Sequence, residues 1–369
     1  MTINLIAFEG DGIGPEIMTS TLEVIDILNT KLSLDVNVEK ELIGVKSLKA
    51  FGTTLPEKAL LKSKEADGII LGPVDHNNYP AKSEGGLNPS GVLRIELDLF
   101  ANIRPAKNYN NVESLSKNMD LIIVRENTEG FYADRNMVDG NGEFSPVEGV
   151  GLAFRKITKT ASLRIAEEAF NIAKNISLSR DKKIKVHAIH KANVMRLTDG
   201  IFLEACRQIS SKYSDVQYEE MLVDACAAHI VRDSSQFDII VTTNMFGDIL
   251  SDLATELSGS LGLAGSLNAS QNQAMAQAQH GSANDIAGKN IANPISLILS
   301  ASMLLNWLGE KRKLENFILA SSLINNSVIK LLANDKNLTK DLGGTASTCL
   351  LYTSPSPRDV EESRMPSSA

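Results

Sequence analysis

The sequence predicts an α/β fold in two domains, built on a mainly parallel sheet. Three observations carry this expectation. Short β-branched runs alternate with helical stretches along most of the chain. The 369 residues exceed one typical domain and leave room for a large core. Residues 237–256, FDIIVTTNMFGDILSDLATE, read as a buried strand, a polar turn and an apolar helix in direct succession.

Taken in order, residues 3–8 form a buried strand that runs into the glycine-rich turn GDGIGPE at residues 10–16. Strand, glycine turn and helix invite comparison with a dinucleotide-binding fingerprint. The glycines Gly10, Gly12 and Gly14 alternate too closely, however, and Pro15 occupies a first-turn helix position. No second strand ending in an acidic residue follows at the required distance, so a tight strand-to-helix turn is the better reading. A helix over residues 16–32, a strand over 35–42, a helix from about 56 and a strand over 67–71 continue the alternation. That last strand stops at Gly72-Pro73, a reversal at a strand's carboxyl end, where α/β folds place ligands.

Arg94 falls within a predicted helix, Arg104 at the end of a short apolar segment, and Arg125 at the end of a buried strand that enters a polar loop. Arginine leaving a buried strand end, with a tyrosine hydroxyl behind it, suits planar recognition of a carboxylate. Residues 134–150 are rich in Gly, Asn and Asp and read as an arm or long hairpin. An amphipathic helix over 157–174 and a strand over 183–190 deliver Lys191-Ala192-Asn193. A helix from Thr198 to about 213 and a strand over 218–223 ending at Asp224 follow. Asp248 and Asp252 then lie four residues apart, on one helix face and one turn from each other. Two like charges there repel unless something positive sits between them. A solvated acidic face is one reading. The apolar neighbours Phe246, Ile249, Leu250 and Leu253 favour the other, a hard divalent cation such as Mg²⁺ or Mn²⁺. Residues 271–279 read as low complexity, the turn His280-Gly281-Ser282-Ala283 as a ligand loop or a plain surface loop, and two helices over 294–308 and 314–334 complete the pattern. There is no internal repeat.

Composition narrows the function classes. The apolar fraction of 43% and charged fraction of 22% are those of an ordinary soluble globular chain. A net charge of −8 argues against a general attraction to nucleic acid or to anionic membranes. The three cysteines, Cys206, Cys226 and Cys349, have neither metal-ligand spacing nor a disulfide framework, which fits a reducing compartment. The N-terminus reaches acidic and glycine residues too early for a signal peptide, and the longest apolar run is too short to span a bilayer. The expected setting is cytoplasmic.

The motifs GDGIGPE, LFANIRP, RENTEGFY, HKAN, TTNMFGDILSD, HGSANDIAGKNIANP and DLGGTAS occur in this order. In these the chain resembles the β-decarboxylating dehydrogenases: isocitrate, 3-isopropylmalate, homoisocitrate and tartrate dehydrogenases. The likeness runs from residue 1 to about 348. It implies that family's two-domain fold, with residues 1–99 and 252–348 forming a cofactor-side domain and 100–251 a substrate and dimerisation domain. It implies oxidative decarboxylation of a 3-substituted malate, isopropylmalate-like or isocitrate-like, by a homodimer with shared active sites.

By this resemblance Arg94, Arg104 and Arg125 clamp the carboxylates of a small anionic 2-hydroxy acid, and Asn88 and Ser90 lie in the segment facing its 3-substituent. Asp248 and Asp252 of one subunit, with Asp224 of the other, hold Mg²⁺ or Mn²⁺. Lys191 from the partner accepts the hydroxyl proton as hydride leaves for the nicotinamide. It must be neutral to do so, and nearby cations would lower its pKa. Tyr132 protonates the enolate that remains after CO₂ departs. Asn193 sits near the nicotinamide, while His280, Gly281 and Asn293 line the adenine side. Asp285 stands where NAD-dependent members carry an acid for the ribose hydroxyls, so NAD is expected over NADP.

Some positions depart from the family pattern. Asn284 replaces a usual proline, Gln277 a common glutamate, and Asn88 and Ser90 carry in swapped order the Ser and Asn pair of isocitrate enzymes. The alternative from another class, a catalytically inactive regulatory or scaffold paralogue, should have lost catalytic residues; Lys191, Tyr132, Asp224, Asp248 and Asp252 are all present. Beyond Thr348 the likeness stops. Residues 349–369 carry three prolines, five serines and no amphipathic period, and are expected to be a non-native tail resembling a translated cloning sequence.

Overall fold

The computed structural model describes residues 2–131, 142–180 and 182–348. Tyr132 and the expected tail at 349–369 lie outside the described residues. Twelve strands are named among those described: β1 (Ile3–Phe8), β2 (Val36–Glu41), β3 (Gly68–Leu71), β4 (Ala101–Lys107), β5 (Asp120–Glu126), β6 (Glu143–Phe144), β7 (Leu152–Ala153), β8 (Lys185–His190), β9 (Gln217–Leu222), β10 (Ile239–Thr242), β11 (Leu267–Ala269) and β12 (Ala274–Gln277). The helices are α1 (Gly14–Leu32), α2 (Gly44–Phe51), α3 (Glu57–Glu65), α4 (Pro89–Glu96), α5 (Lys159–Arg180), α6 (Thr198–Ser210), α7 (Val223–Arg232), α8 (Asn244–Ser258), α9 (Ile295–Arg312) and α10 (Glu315–Leu332). None of them is long and apolar enough to cross a membrane.

Ten strands make one sheet in the order β2-β1-β3-β12-β11-β4-β5-β10-β8-β9. Its two ends are parallel blocks, β2-β1-β3-β12 and β5-β10-β8-β9. They run in opposite directions and meet through the antiparallel pairs β12–β11, β11–β4 and β4–β5. The mainly parallel α/β sheet read from the sequence is therefore present. Pro105 fits β4 because β11 covers only Ala101–Ile103 of that strand, so its missing N–H lies where no second neighbour pairs.

Period-two alternation sends successive side chains to opposite faces. In the first block Leu5, Ala7 and Ile70 enter one apolar cluster, with α1, α9 and α10, while Ile6, Phe8, Ile69 and Leu71 enter another on the far face. In the second, Val124, Val186, Ile239 and Val241 face α5 and α6, and Ile123, Ile189 and Ile240 face α7 and α8. Because each block has its own pair of clusters, we propose the two-unit division expected from the sequence. α8 packs as one piece against the second block through Ala254 and Leu257, so we place the return to the first unit just after it.

Three readings change. The stretch at 271–279 is not a low-complexity loop: Ala274, Met275 and Ala276 are fully buried in β12, and small alanines let α9 pack closely over the strand. Arg104 sits within β4 rather than at its end. The helix α2 and the strand β11 carried no distinct periodic signal and were not expected.

The GDG turn is explained by what it touches. Asp11 Oδ1 accepts from Val45 N at 2.7 Å, and Oδ2 accepts from Asp75 N at 3.0 Å and from the Tyr79 hydroxyl. One carboxylate thus ties the first turn to α2 and to the loop after β3. Burial, and then the bond to Asp11, push the Tyr79 hydroxyl well above its usual range. Gly12, at φ +56°, lies so close to the loop before α9 that a Cβ would stand 1.9 Å from Ser282 O. Asp11→Ala leaves two backbone donors without their acceptor and should lower unfolding free energy by about 2–4 kcal/mol. Urea unfolding of the variant checks this; a loss below about 0.5 kcal/mol would contradict the assigned role.

Candidate functional site

The site begins where β4, β5 and the N-terminal half of α8 meet. Antiparallel pairing sets Arg104 opposite Ile123, so the guanidiniums of Arg104 and Arg125 emerge from neighbouring strands. Both residues are buried, at 7% and 2% exposure, and need polar partners there. Arg104 Nη1 lies 3.2 Å from Asp248 Oδ1, 3.3 Å from Asp252 Oδ1 and 2.7 Å from Ser251 Oγ. Arg125 Nη1 also bonds Asp248, while its Nε and Nη2 donate to Asn244 Oδ1 at 3.1 and 2.6 Å. The two carboxylates of D-x-x-x-D thus have the positive group between them that their spacing demands.

Gly247 makes this approach possible. A Cβ there would stand 2.5 Å from Arg125 Cγ and 2.6 Å from its Cβ, atoms at the root of a buried side chain.

A cavity of about 340 Å³ opens against this cluster, at the carboxyl end of β12 and beside α4. It collects Arg94, Arg104, Arg125 and Asp248 with Asn88 and Ser90. Four separate segments of the chain therefore supply residues to one space. Asn88 caps α4, its Oδ1 accepting from Gly91 N at 3.2 Å. Ser90 Oγ and Arg94 Nη2 both donate to Gln277 Oε1, at 2.9 and 3.1 Å.

His280 and Gly281 line this cavity and also a second one of about 520 Å³, whose wall includes Ile13, Asn293 and Asp341. Asn293 Oδ1 accepts from Ile295 N at 3.0 Å at the head of α9, and its Nδ2 donates to Asp341 Oδ2 at 3.0 Å. Burial pushes the His280 imidazole below its usual pKa, toward the neutral form. Asp285 is exposed on the loop that follows. Asn284 gives this loop a tether in place of proline stiffness, donating to Asp75 Oδ2 at 2.7 Å. Gln279 Nε2 reaches back to Asp252 Oδ1 at 2.7 Å, joining the loop to α8.

Lys191 and Asp224 form a pair apart from that cavity. Lys191 Nζ donates to Asp224 Oδ1 at 2.6 Å, and that bond, then a backbone bond, holds the carboxyl below its ordinary value. Asp224 stands in the first turn of α7, where the helix N-terminus favours an anion. Asn193 is exposed on the turn after β8. Asp248 and Asp252 offer hard carboxylate oxygens, with side chains 37% and 58% exposed, so their chemistry fits a divalent cation. Among the described residues no three His, Cys, Asp or Glu come together.

Several supporting residues were not singled out from the sequence. Asp199, fully buried, accepts from the Lys191 backbone N–H and pairs with Arg155. Arg155 also donates to Thr198 Oγ1 at 2.6 Å and to Thr243 Oγ1 at 3.1 Å, tying the turn after β8 to the head of α8. Glu126, whose carboxyl burial pushes upward, accepts from Thr128 N, Thr128 Oγ1 and Glu129 N at 2.9, 2.6 and 2.8 Å. It folds the loop after β5 that leads toward Tyr132. The signal was available, since Glu126 and Glu129 belong to RENTEGFY and Asp199 follows HKAN closely, but an acid's partner cannot be read without the fold.

Comparison with known proteins gives the family. Residues 4–355 match the family model for isocitrate/isopropylmalate dehydrogenase, a match that runs past Thr348 into the first residues of the segment expected to be a tail. A 3-isopropylmalate dehydrogenase of Saccharolobus solfataricus is 42% identical over 346 residues, covering 94% of this chain and 96% of the relative. The isocitrate dehydrogenase [NAD] catalytic subunit 5, mitochondrial, of Arabidopsis thaliana is 38% identical over 347 residues, covering 94% of this chain and 86% of that protein. The crystal structure of isocitrate dehydrogenase from Methylococcus capsulatus superposes with a TM-score of 0.82 at 33% identity, covering 95% of this chain and 97% of that one. The chain belongs to the isocitrate/isopropylmalate dehydrogenase family.

Gly247→Ala tests the close packing of Arg125. Alanine ordinarily improves a helix interior by about 0.5–1 kcal/mol. Here the clash with the root of a buried arginine should dominate, for a net loss of about 1–2 kcal/mol. Denaturant unfolding checks the sign, and a stabilised variant would refute the packing argument.

Proposed function

We propose that this chain is an NAD-dependent oxidative decarboxylase of a 3-substituted malate, isopropylmalate-like or isocitrate-like. The observation that carries the reading is the convergence of Arg94, Arg104 and Arg125 on one cavity with Asp248 on its wall. Three guanidiniums suit a di- or tricarboxylate, since each can take a carboxylate through two parallel hydrogen bonds. The named activities of the relatives support the same class.

Asp248 and Asp252, with Asp224 of a second copy of the chain, would hold Mg²⁺ or Mn²⁺. When bound, the cation supplies Lewis acidity to the substrate's 2-oxygen and α-carboxylate. Asn193 would hold the nicotinamide end of NAD, and His280, Gly281 and Asn293 the adenine side; when bound, NAD would supply the acceptor for the hydride that leaves C2. Lys191 accepts the proton of the 2-hydroxyl. Loss of the C3 carboxylate as CO₂ leaves its bonding electron pair on the carbon skeleton, and Tyr132 returns a proton to C3. In a single chain Lys191 lies with Asp224, away from the arginines, which is why we propose a homodimer with shared sites. Arg104 and Arg125 pair with the same aspartates that would take the cation. Substrate carboxylates would take over the arginines as the cation takes the aspartates, so both ligands would replace these pairs together.

The direct test is NADH formation with Mg²⁺ or Mn²⁺ and a panel of 3-substituted malates, where no turnover of any would overturn the reading. For the shared site, mixing inactive Lys191→Ala and Asp248→Asn chains should restore part of the activity, because one mixed site keeps both groups. No recovery after confirmed subunit exchange would refute it. For cofactor choice, Asp285→Lys should move preference toward NADP by about tenfold or more, since the lysine replaces a charge that repels a 2′-phosphate. A wild-type chain that uses NADP as well as NAD would contradict the role of Asp285.

A further inference from the structure

The turn that carries Lys191 is held at several points. It follows β8, which runs parallel to β10, and Thr242 Oγ1 at the end of β10 donates to Ile189 O at 2.8 Å. Within the turn His190 Nδ1 accepts from Ala192 N at 3.0 Å, and Lys191 O accepts from Val194 N at 3.0 Å and Met195 N at 2.9 Å. Lys191 itself is held at both ends. Its backbone N–H donates to Asp199 Oδ2, and its Nζ donates to Asp224 Oδ1 at 2.6 Å.

Asp199 is fully buried, so where it stands depends on what its other oxygen meets. That oxygen receives Arg155 Nη1. The Arg155 side chain is only 8% exposed and is fixed from several sides. Its neighbour Lys156 exchanges both backbone hydrogen bonds with Gly130, at 3.0 and 2.8 Å. The guanidinium donates to Thr198 Oγ1 at 2.6 Å and to Thr243 Oγ1, just before α8, at 3.1 Å. It also stands over the rings of Phe246 and Phe131, at 5.6 and 5.9 Å from their centres. A planar fork of five N–H groups reaches one carboxylate and two hydroxyls at once. Stability alone does not demand such a pair, since apolar side chains of similar volume often serve as well as a buried ion pair. What the pair adds is orientation: from the head of α8, through guanidinium and carboxylate, to the backbone N–H of Lys191.

We propose that Arg155, acting through Asp199, is a positioning residue for Lys191: it sets the backbone from which the lysine side chain reaches the 2-hydroxyl of the substrate. This deepens the proposed function and rests on the role given there to Lys191.

The test is a double-mutant cycle on the full chain with NAD and Mg²⁺. The substrate is isocitrate or 3-isopropylmalate, whichever wild type turns over faster. Arg155→Met should lower kcat at least about tenfold when Lys191 is present. In Lys191→Ala chains, assayed with methylamine as a replacement base, the same change should cost less than about threefold, because the group it positions is gone. Equal losses in the two backgrounds would show a general structural role and overturn the proposal. If Arg155→Met does not fold, Arg155→Lys takes its place in the same cycle, since an ammonium on a shorter stem cannot reproduce the fork, and equal losses again count against the proposal. If wild type turns over neither compound, the proposed function fails. In that case, or if Lys191→Ala chains show no turnover, hydrogen exchange at the Lys191 amide decides. Arg155→Met or Arg155→Lys should speed it at least about tenfold, and an unchanged rate would overturn the positioning role.

Discussion

The arrangement depends on one guanidinium. Asp248 and Asp252 stand one turn apart on α8, and Arg104 Nη1 sits within 3.3 Å of both. Arg125 adds a second positive contact to Asp248, and the aspartates in turn give two buried arginines acidic partners, which burial of a charge requires. The compensation fixes several other features. β4 and β5 must be antiparallel neighbours for both arginines to reach the same helix, and α8 must carry a glycine at 247 so that Arg125 can pass. The opposed blocks of the sheet follow from three successive antiparallel pairs, β12–β11, β11–β4 and β4–β5, the last of which carries the two arginines.

Around this centre the chain spends buried polar groups on geometry. Asp11 and Asp199 each use one carboxylate to gather donors from separate segments, and Glu126 uses one to fold the loop that directly follows it. Pairs of this kind add little net stability, because desolvation offsets most of their attraction. Their effect is to leave each loop one low-energy arrangement, since a lost partner would strand a buried donor or charge. Where the two halves of the sheet join, Asn102 and Asn127 both donate to Asn268 Oδ1 at 3.0 Å, so amides rather than apolar packing span the seam.

Much of this was legible in the sequence. Short apolar and alternating runs gave the strands β1, β3 and β8 to within two residues, because most of their side chains are buried. The spacing of Asp248 and Asp252 announced a positive partner but not its identity, since β4 lies more than a hundred residues earlier in the chain. β12 was missed because alanine and glutamine carry no strand signal; its burial is imposed by β3 and β11 on either side. Asp199 and Arg155 were missed for the related reason that an ion pair is a property of two segments. Arg94, Asn88 and Ser90 line one cavity, but the tie of Ser90 and Arg94 to Gln277 depends on contacts across 187 and 183 residues.

If, as proposed, anion and cation displace the arginine–aspartate pairs jointly, each ligand should bind better in the presence of the other. Isothermal titration of Mn²⁺ into the protein, with and without saturating D-malate, tests this most directly. D-malate should raise Mn²⁺ affinity at least about fivefold, and Mn²⁺ should raise D-malate affinity by the same factor, as linkage requires. An Mn²⁺ affinity that D-malate leaves unchanged or weakens would contradict the claim.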